Sequence, residues 1–178
     1  QSIAVLARTL HAEGEMEEQD VVRAEREALD AAVGSGNRLM EASVRVLLSR
    51  DLDPQAAIAE LGHALALARA AGDRHEARGA LRLLAVRSLL AAPGQPDEAF
   101  RRIKEVADDA RWSGHLEDYA RALETTAAMR HLTGPRERWI ADSLRALDAI
   151  ERIRDLQPEG TVRARAFAPW VSAYSRLA

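Results

Sequence analysis

Apolar residues recur at helical spacing in segments that follow three prolines. The sets are Ala57, Ile58, Leu61, Ala64, Leu65 and Ala68 after Pro54; Ala99, Phe100, Ile103, Val106, Ala107 and Ala110 after Pro96; and Ile140, Leu144, Leu147, Ile150 and Ile153 after Pro135. Positions three and four apart lie on one helix face, so each segment predicts an amphipathic helix. With Leu84 from an intervening segment, Leu61, Ile103 and Leu144 are predicted to be buried core residues.

Proline and glycine divide the chain at nearly regular intervals. The three prolines are 42 and 39 residues apart, and proline is well suited to the first position of a helix. Gly36, Gly72 and Gly114 are 36 and 42 residues apart, and each is expected to end one helix in the left-handed conformation just before the next begins. Two series with a period of about 40 residues predict repeated helix–turn–helix units.

These boundaries predict about four antiparallel helix pairs. The expected ranges are 2–12 with 17–33, 37–50 with 54–71, 74–91 with 96–112, and 115–132 with 136–156, followed by a final helix within 159–178. We therefore expect a repeat region over residues 1–156. Residues 157–178 are expected to form a C-terminal helix leading to a domain outside this chain.

Composition agrees with an all-α fold. The chain has 178 residues, of which 36 are alanine and only 4% are aromatic, whereas sheets favour β-branched and aromatic side chains. Alanine suits positions where two helices approach closely. The formal net charge is −3, and acidic residues alternate with the arginines, so no basic stripe for nucleic acid is expected.

The segments from Pro54 to Leu65 and from Pro96 to Ala110 resemble the second helix of tetratricopeptide repeats. Both have a small residue, Ala57 or Ala99, followed four positions later by a large one, Leu61 or Ile103. The resemblance implies a right-handed αα-superhelix, a solenoid of about four hairpins plus a C-terminal helix. It also implies that the first helix of each pair lines a concave groove.

A second resemblance concerns the end of the chain. The stretch from Ala146 to Arg154, together with later residues, is similar to the helical segment that joins such repeats to a caspase-like CHAT protease domain. The later residues are Arg163, Arg165, Phe167, Tyr174, Ser175, Arg176 and Leu177. This resemblance implies that a His–Cys protease domain begins after Ala178 and that the present chain is its sensing or docking part.

No motif for catalysis or cofactor binding is found. The chain has no cysteine, and no two of its five histidines have the i, i+4 spacing that places two metal ligands on one helix face. We expect surface histidines, no metal, no cofactor and no enzyme activity. The three tryptophans, Trp112, Trp139 and Trp170, are expected to pack in the core, with Trp112 and Trp139 meeting at one end of the stack.

Arginines supply the candidate binding residues. Arg74, Arg78 and Arg82 lie one turn apart along one helix face, away from the apolar residues. By the resemblance, this face with Arg45 and Arg121 would line the groove and receive an acidic partner segment. The alternative is a face neutralised by nearby acids such as Asp73 and Glu76.

The sequence therefore predicts a non-catalytic protein-interaction or regulatory scaffold, the sensing or docking part of a larger bacterial regulator such as a CHAT-type protease. Its partner is expected to be a protein or peptide, with the adjoining protease domain as one candidate, and not a nucleic acid or a membrane. Residue 1 is Gln and no signal-type segment follows, so we expect an internal or processed piece of a longer cytoplasmic protein. The alternative function is a ligand-sensing repeat domain of a transcription activator.

Overall fold

The computed structural model describes residues 18–156 together with Trp170, Ala173 and Tyr174. Within these residues the chain forms helices and turns and no strand, which confirms the predicted all-α class. The helices are α1 (Glu18–Gly34), α2 (Arg38–Leu48), α3 (Pro54–Ala70), α4 (Arg74–Ala91), α5 (Asp97–Trp112), α6 (Leu116–Thr133) and α7 (Arg136–Asp155). They agree closely with the predicted boundaries, whereas the predicted helix 2–12 and most of 159–178 lie outside the described residues.

The chain divides into two compact units, Gln1–Ala91 and Ala92–Ala178. In the first unit, α1 packs against α2, α2 against α3 and α3 against α4, and α2 also contacts α4. In the second unit, α5 packs against α6 and α6 against α7. Two predicted pairs, 37–50 with 54–71 and 115–132 with 136–156, are therefore packed pairs, while the helices of the third belong to different units.

The three predicted helix-ending glycines all adopt the left-handed conformation. Their φ angles are 66° at Gly36, 73° at Gly72 and 74° at Gly114, where an L side chain would be strained. At each turn the N–H of the next residue donates to a carbonyl five residues back, on Ala32, Ala68 or Ala110, at 3.3, 3.0 and 2.9 Å. These are Schellman turns, and they confirm the predicted helix ends.

The predicted proline starts are correct to within one residue. Pro54 is the first residue of α3, and the Asp53 side chain accepts hydrogen bonds from the N–H groups of Gln55 and Ala56 at 3.0 and 3.1 Å. Pro96 and Pro135 each stand one position before the helix that they introduce. Proline tolerates both positions because neither needs its missing N–H.

Burial recurs at the same intervals as the glycines. Four buried positions of α1 have buried counterparts in α3 and α5 at the intervals that separate the glycines. The equivalent residues, in the order α1, α3 and α5, are Val21, Ala57 and Ala99; Glu25, Leu61 and Ile103; Ala28, Ala64 and Val106; and Ala32, Ala68 and Ala110. The same intervals relate Ala42, Arg78 and Ala120 in the helices that follow the glycine turns. Two charged residues, Glu25 and Arg78, thus occupy positions that are apolar elsewhere in the chain.

Three of the four predicted core residues are buried, namely Leu61, Leu84 and Ile103. The prediction for Leu144 is wrong, because this residue is 57% exposed. The buried face of α7 carries Ser143, Ala146, Ala149 and Ile150. One residue advances a helix by about 100°, so Leu144 lies beside this face rather than on it.

Candidate partner-docking site

The predicted binding arginines are divided between the two units. Arg45 lies on α2, and Arg78 and Arg82 lie on α4, all within the first unit, whereas Arg121 lies on α6 in the second. The four arginines therefore do not come from a single unit.

Arg45 is engaged inside the first unit. Its guanidinium pairs with Glu41 on the same helix at 2.8 Å and with Glu60 on α3 at 2.5 Å, and the side chain is only 17% exposed. Partial burial lowers the pKa of Arg45, but the hydrogen bonds and charges of Glu60 and Glu41 outweigh it, so the pKa is raised. This arginine links α2 to α3 and offers little free charge to a partner.

Arg78 does not project from an exposed face. The residue is only 4% exposed, so the expectation that it lies away from the buried face of α4 is wrong. Arg78 follows Gly72 at the same distance at which Ala42 follows Gly36 and Ala120 follows Gly114, and both alanines are buried. One turn before it Arg74 is exposed, and one turn after it Arg82 is half-buried.

Arg121 covers an aromatic ring. Its guanidinium carbon lies 5.0 Å from the centre of the Trp170 ring, and its Nη2 pairs with Glu117 at 2.8 Å. Trp170 is 2% exposed and packs with Ala120, Ala149 and Ile150, which confirms its predicted core position. The partner-binding roles of Arg45, Arg78, Arg82 and Arg121 remain predictions, and the geometry gives at least three of these side chains structural contacts.

The other two tryptophans differ from the prediction. Trp112, the last residue of α5, is 89% exposed, so its predicted core position is wrong. Trp139 is half-buried, and its ring lies 4.7 Å from that of His131 at a 48° tilt. A residue that ends a helix just before a turn has few neighbours to cover it, which explains the exposure of Trp112.

The second unit contains a cleft of about 510 Å³ between its three helices. We call it the arginine cleft. It is lined by Arg111 from α5, Leu116 and Tyr119 from α6, and Leu144, Arg145, Asp148, Ala149 and Arg152 from α7.

Apolar side chains remain exposed inside the arginine cleft. Leu144 is 57% exposed and Leu116 is 37% exposed, and Tyr119 is half-buried where it packs against the core of this unit. Leaving apolar area in water costs about 25 cal/mol for each Å². A concave surface that retains two leucines can recover this energy when a partner covers it.

Positive charge surrounds these leucines. Three arginines and one aspartate line the cleft, and two of the arginines are well exposed, with 74% of the Arg145 side chain and 69% of the Arg152 side chain in solvent. Asp148 pairs with Arg152 at 2.9 Å, and Arg145 lies 3.5 Å from Asp142. The Arg152–Asp148 pair is open to water on both sides, so it is weak and can exchange partners, whereas the Asp142 side chain is only 18% exposed.

Nothing in the described residues suggests catalysis at a metal. No group of three acidic or histidine side chains among them could hold a metal ion. His63, His75, His115 and His131 are all exposed, which confirms the surface prediction for these four, while His11 lies outside the described residues. Over the described part of the chain, no helix is both long and apolar enough to cross a membrane.

Sequence reasoning did not find the arginine cleft. One signal was present, because the apolar residues of α7 span more than a single face: Leu144 lies beside the buried stripe of Ala146 and Ile150, whereas Leu147 packs against the core. An apolar set wider than one face predicts a second contact surface on the helix.

Comparison with known proteins does not identify the chain. No protein-family model matches it, and no curated protein shows significant sequence similarity to it. The relationships to tetratricopeptide repeats and to CHAT-associated segments are therefore proposals.

Proposed function

We propose that the chain is a non-catalytic protein-interaction module that docks a segment of a partner protein in the arginine cleft. The observation that carries this proposal is the retention of exposed Leu116 and Leu144 between helices of the second unit. Apolar side chains in a concavity, ringed by charge, form the usual anatomy of a docking site, with an apolar centre and a polar rim.

Repeated local geometry supports a tetratricopeptide-like architecture within this proposal. The three Schellman turns recur at 36- and 42-residue intervals, and buried positions on α1, α3 and α5 recur at the same intervals. Repeats of this kind present rigid helix faces to partners. The continuous right-handed solenoid and the scaffold role are parts of the proposal.

The larger context that we propose is a cytoplasmic bacterial regulator, with a CHAT-type protease as the first candidate. It is supported only by the resemblance of the stretch from Ala146 to Arg154 and the residues that follow. Sequencing the gene downstream of the codon for Ala178 tests it directly. A His–Cys protease domain there supports the CHAT context, and a helix-turn-helix domain contradicts it in favour of a transcription activator.

A ligand-sensing function is the second candidate, because the cleft volume of about 510 Å³ falls within the range of small-molecule sites. The exposure of the cleft favours the protein partner. Small-molecule sites bury most of their ligand, whereas Arg145 and Arg152 here keep over two thirds of their side chains in solvent.

Site-specific photo-crosslinking tests docking. A photoreactive amino acid at Leu144 is expected to crosslink a discrete partner in the native cell, because this side chain lies exposed inside the cleft. The control places the same group at Arg101, an exposed position on α5 whose side chain is 66% in solvent and does not line the cleft.

The two positions give distinct results if docking is specific. Mass spectrometry should find one dominant protein at position 144 and no such product at position 101. Equal, diffuse labelling at both positions contradicts docking at the cleft. Labelling of a copurifying metabolite at position 144, without a protein, favours the ligand-sensing alternative.

A further inference from the structure

We propose that the occupant of the arginine cleft is an acidic amphipathic helix, which places leucine-like side chains on Leu116 and Leu144 and carboxylates beside Arg111, Arg145 and Arg152. This inference rests on the proposed docking function and specifies the chemistry of the partner at the same site.

Charge gives the first reason. The cleft carries three arginines against one aspartate, within a chain whose formal net charge is −3. Asp142 also lies 3.5 Å from Arg145, so the three arginines, Asp148 and Asp142 together carry one net positive charge, opposite in sign to the protein as a whole. A partner with carboxylates can form planar, bidentate pairs with guanidinium groups at the rim, and the opposite charges speed its approach.

The leucines give the second reason. Leu116 begins α6 and Leu144 lies in the middle of α7, so the two helices offer apolar contacts from separate walls. A partner must therefore bring apolar side chains along one stripe and carboxylates beside it. This is the surface of an amphipathic helix with anchors three and four positions apart.

The walls also favour a helix over an extended peptide. Side chains of α5, α6 and α7 line the cleft, and its described walls contain no strand edge with free backbone groups. Without a strand edge to pair with, an extended peptide would leave its N–H groups dependent on water or scattered side chains, whereas a helix satisfies its backbone groups internally. Nucleic acid is disfavoured because Asp148 and two leucines occupy the same surface as the arginines.

Fluorescence anisotropy with designed peptides tests the inference on the full chain. The acidic probe is a labelled 18-residue helix with leucines at positions i, i+3, i+4 and i+7 and glutamates on the flanks. A neutral probe replaces each glutamate by glutamine, and a basic probe replaces each by lysine. A labelled single-stranded oligonucleotide of about 12 nucleotides serves as the nucleic-acid probe.

Matched variants locate the site. The cleft variant carries Arg111→Glu and Arg145→Glu. Its control carries Arg101→Glu and Lys104→Glu, which change the charge by the same amount at side chains 66% and 74% exposed outside the cleft. A third variant, Leu144→Gln, removes an apolar contact without changing charge. Circular dichroism verifies that each variant is folded.

We expect the acidic probe to bind about tenfold more tightly than the neutral probe, which corresponds to two or three exposed ion pairs. The cleft variant should weaken acidic-probe binding about tenfold or more, and the control variant less than about twofold after correction for ionic strength. Leu144→Gln should weaken the acidic and neutral probes equally, because it removes apolar contact alone.

The remaining outcomes separate this inference from the docking function. If the neutral or basic probe binds as tightly as the acidic one and Leu144→Gln weakens both, docking stands and the acidic specificity is overturned. If no peptide responds to Leu144→Gln, both proposals are overturned. Preferential binding of the oligonucleotide, lost in the cleft variant, overturns the acidic helix in favour of nucleic acid.

Discussion

The two units of the chain contain groups of arginines with contrasting surroundings. In the first unit, Arg45 pairs with two glutamates, Arg78 is buried, and Arg87 donates from Nη2 to the carbonyls of Ser49 and Arg50 at 3.0 and 2.6 Å. Arg45 and Arg87 thereby link neighbouring helices of this unit. In the second unit, three arginines surround a cleft and two of them are largely in solvent.

This contrast teaches that the charge pattern of a helix does not reveal its role. Arg74, Arg78 and Arg82 form a regular row in the sequence, yet the middle one is buried. Arg111, Arg145 and Arg152 form no regular row, because they come from two helices that the fold brings together. Burial and the neighbouring helix decide the role of each arginine.

The largest expected effect comes from charge reversal in the two units. Arg78→Glu should destabilise the fold by about 3–5 kcal/mol, because a buried charge reversed in sign cannot be screened by water. Arg111→Glu, at an exposed position, should change stability by less than about 0.5 kcal/mol. Urea denaturation followed by circular dichroism measures the free energy of unfolding of both variants. Similar losses of stability would contradict the contrast between buried Arg78 and exposed Arg111.

Leucine truncation gives the next effect. Leu61→Ala in the first unit should cost about 2–5 kcal/mol, since Leu61 is fully buried and its removal leaves a cavity. Leu144→Ala in the second unit should cost less than about 0.5 kcal/mol because this side chain is 57% exposed. Thermal unfolding of both variants checks the difference, and a large loss at Leu144 would argue that this residue belongs to the core.

A smaller effect tests what the two units share. Gly72→Ala and Gly114→Ala should each destabilise by about 1 kcal/mol, because both glycines hold positive φ angles. Gly62→Ala is the control. Gly62 lies inside α3 with open space at its Cβ position, so this change should stabilise by about 0.5–1 kcal/mol. Opposite signs in chemical denaturation are the expected result.

The last prediction concerns the pH dependence of Tyr174 in the second unit. Burial and its hydrogen bond to Glu151, at 2.5 Å, raise the pKa of Tyr174 to about 12. Because the pKa of Tyr174 is higher in the folded than in the unfolded state, its full contribution to the free energy of unfolding is present below about pH 10. This contribution is lost as the pH rises through about 12. Ultraviolet titration curves of the wild type and of Tyr174→Phe are compared, and their difference should show tyrosinate forming near pH 12. Formation near pH 10 would contradict the contact with Glu151.

Local backbone rules made much of the fold predictable. Gly36, Gly72 and Gly114 mark helix ends because only glycine readily takes a left-handed angle, and this requirement appears in the sequence itself. Pro54 marks a helix start for a similar reason. Helix class and boundaries therefore followed from residues close together along the chain.

Tertiary contacts decide the features that the sequence did not reveal. Leu144 and Trp112 are apolar, and which faces of α7 and α5 are covered depends on neighbours distant in the sequence. Arg78 is buried because its position on α4 is inward-facing, a fact that its residue type conceals. The arginine cleft combines residues of three helices, so the apolar pattern of α7 could indicate one wall of it but not the whole site.

At a glycine turn, a backbone hydrogen bond can end one helix while a side-chain hydrogen bond begins the next. The N–H of Asp73 closes α3 on the Ala68 carbonyl at 3.0 Å, while its carboxylate accepts the N–H of Glu76 at 2.9 Å and opens α4. The closing bond survives any substitution except proline, whereas the opening bond needs a short polar side chain. A turn can therefore lack the side-chain cap and still keep the bond that ends the preceding helix, as at His115, which closes α5 but makes no side-chain cap for α6.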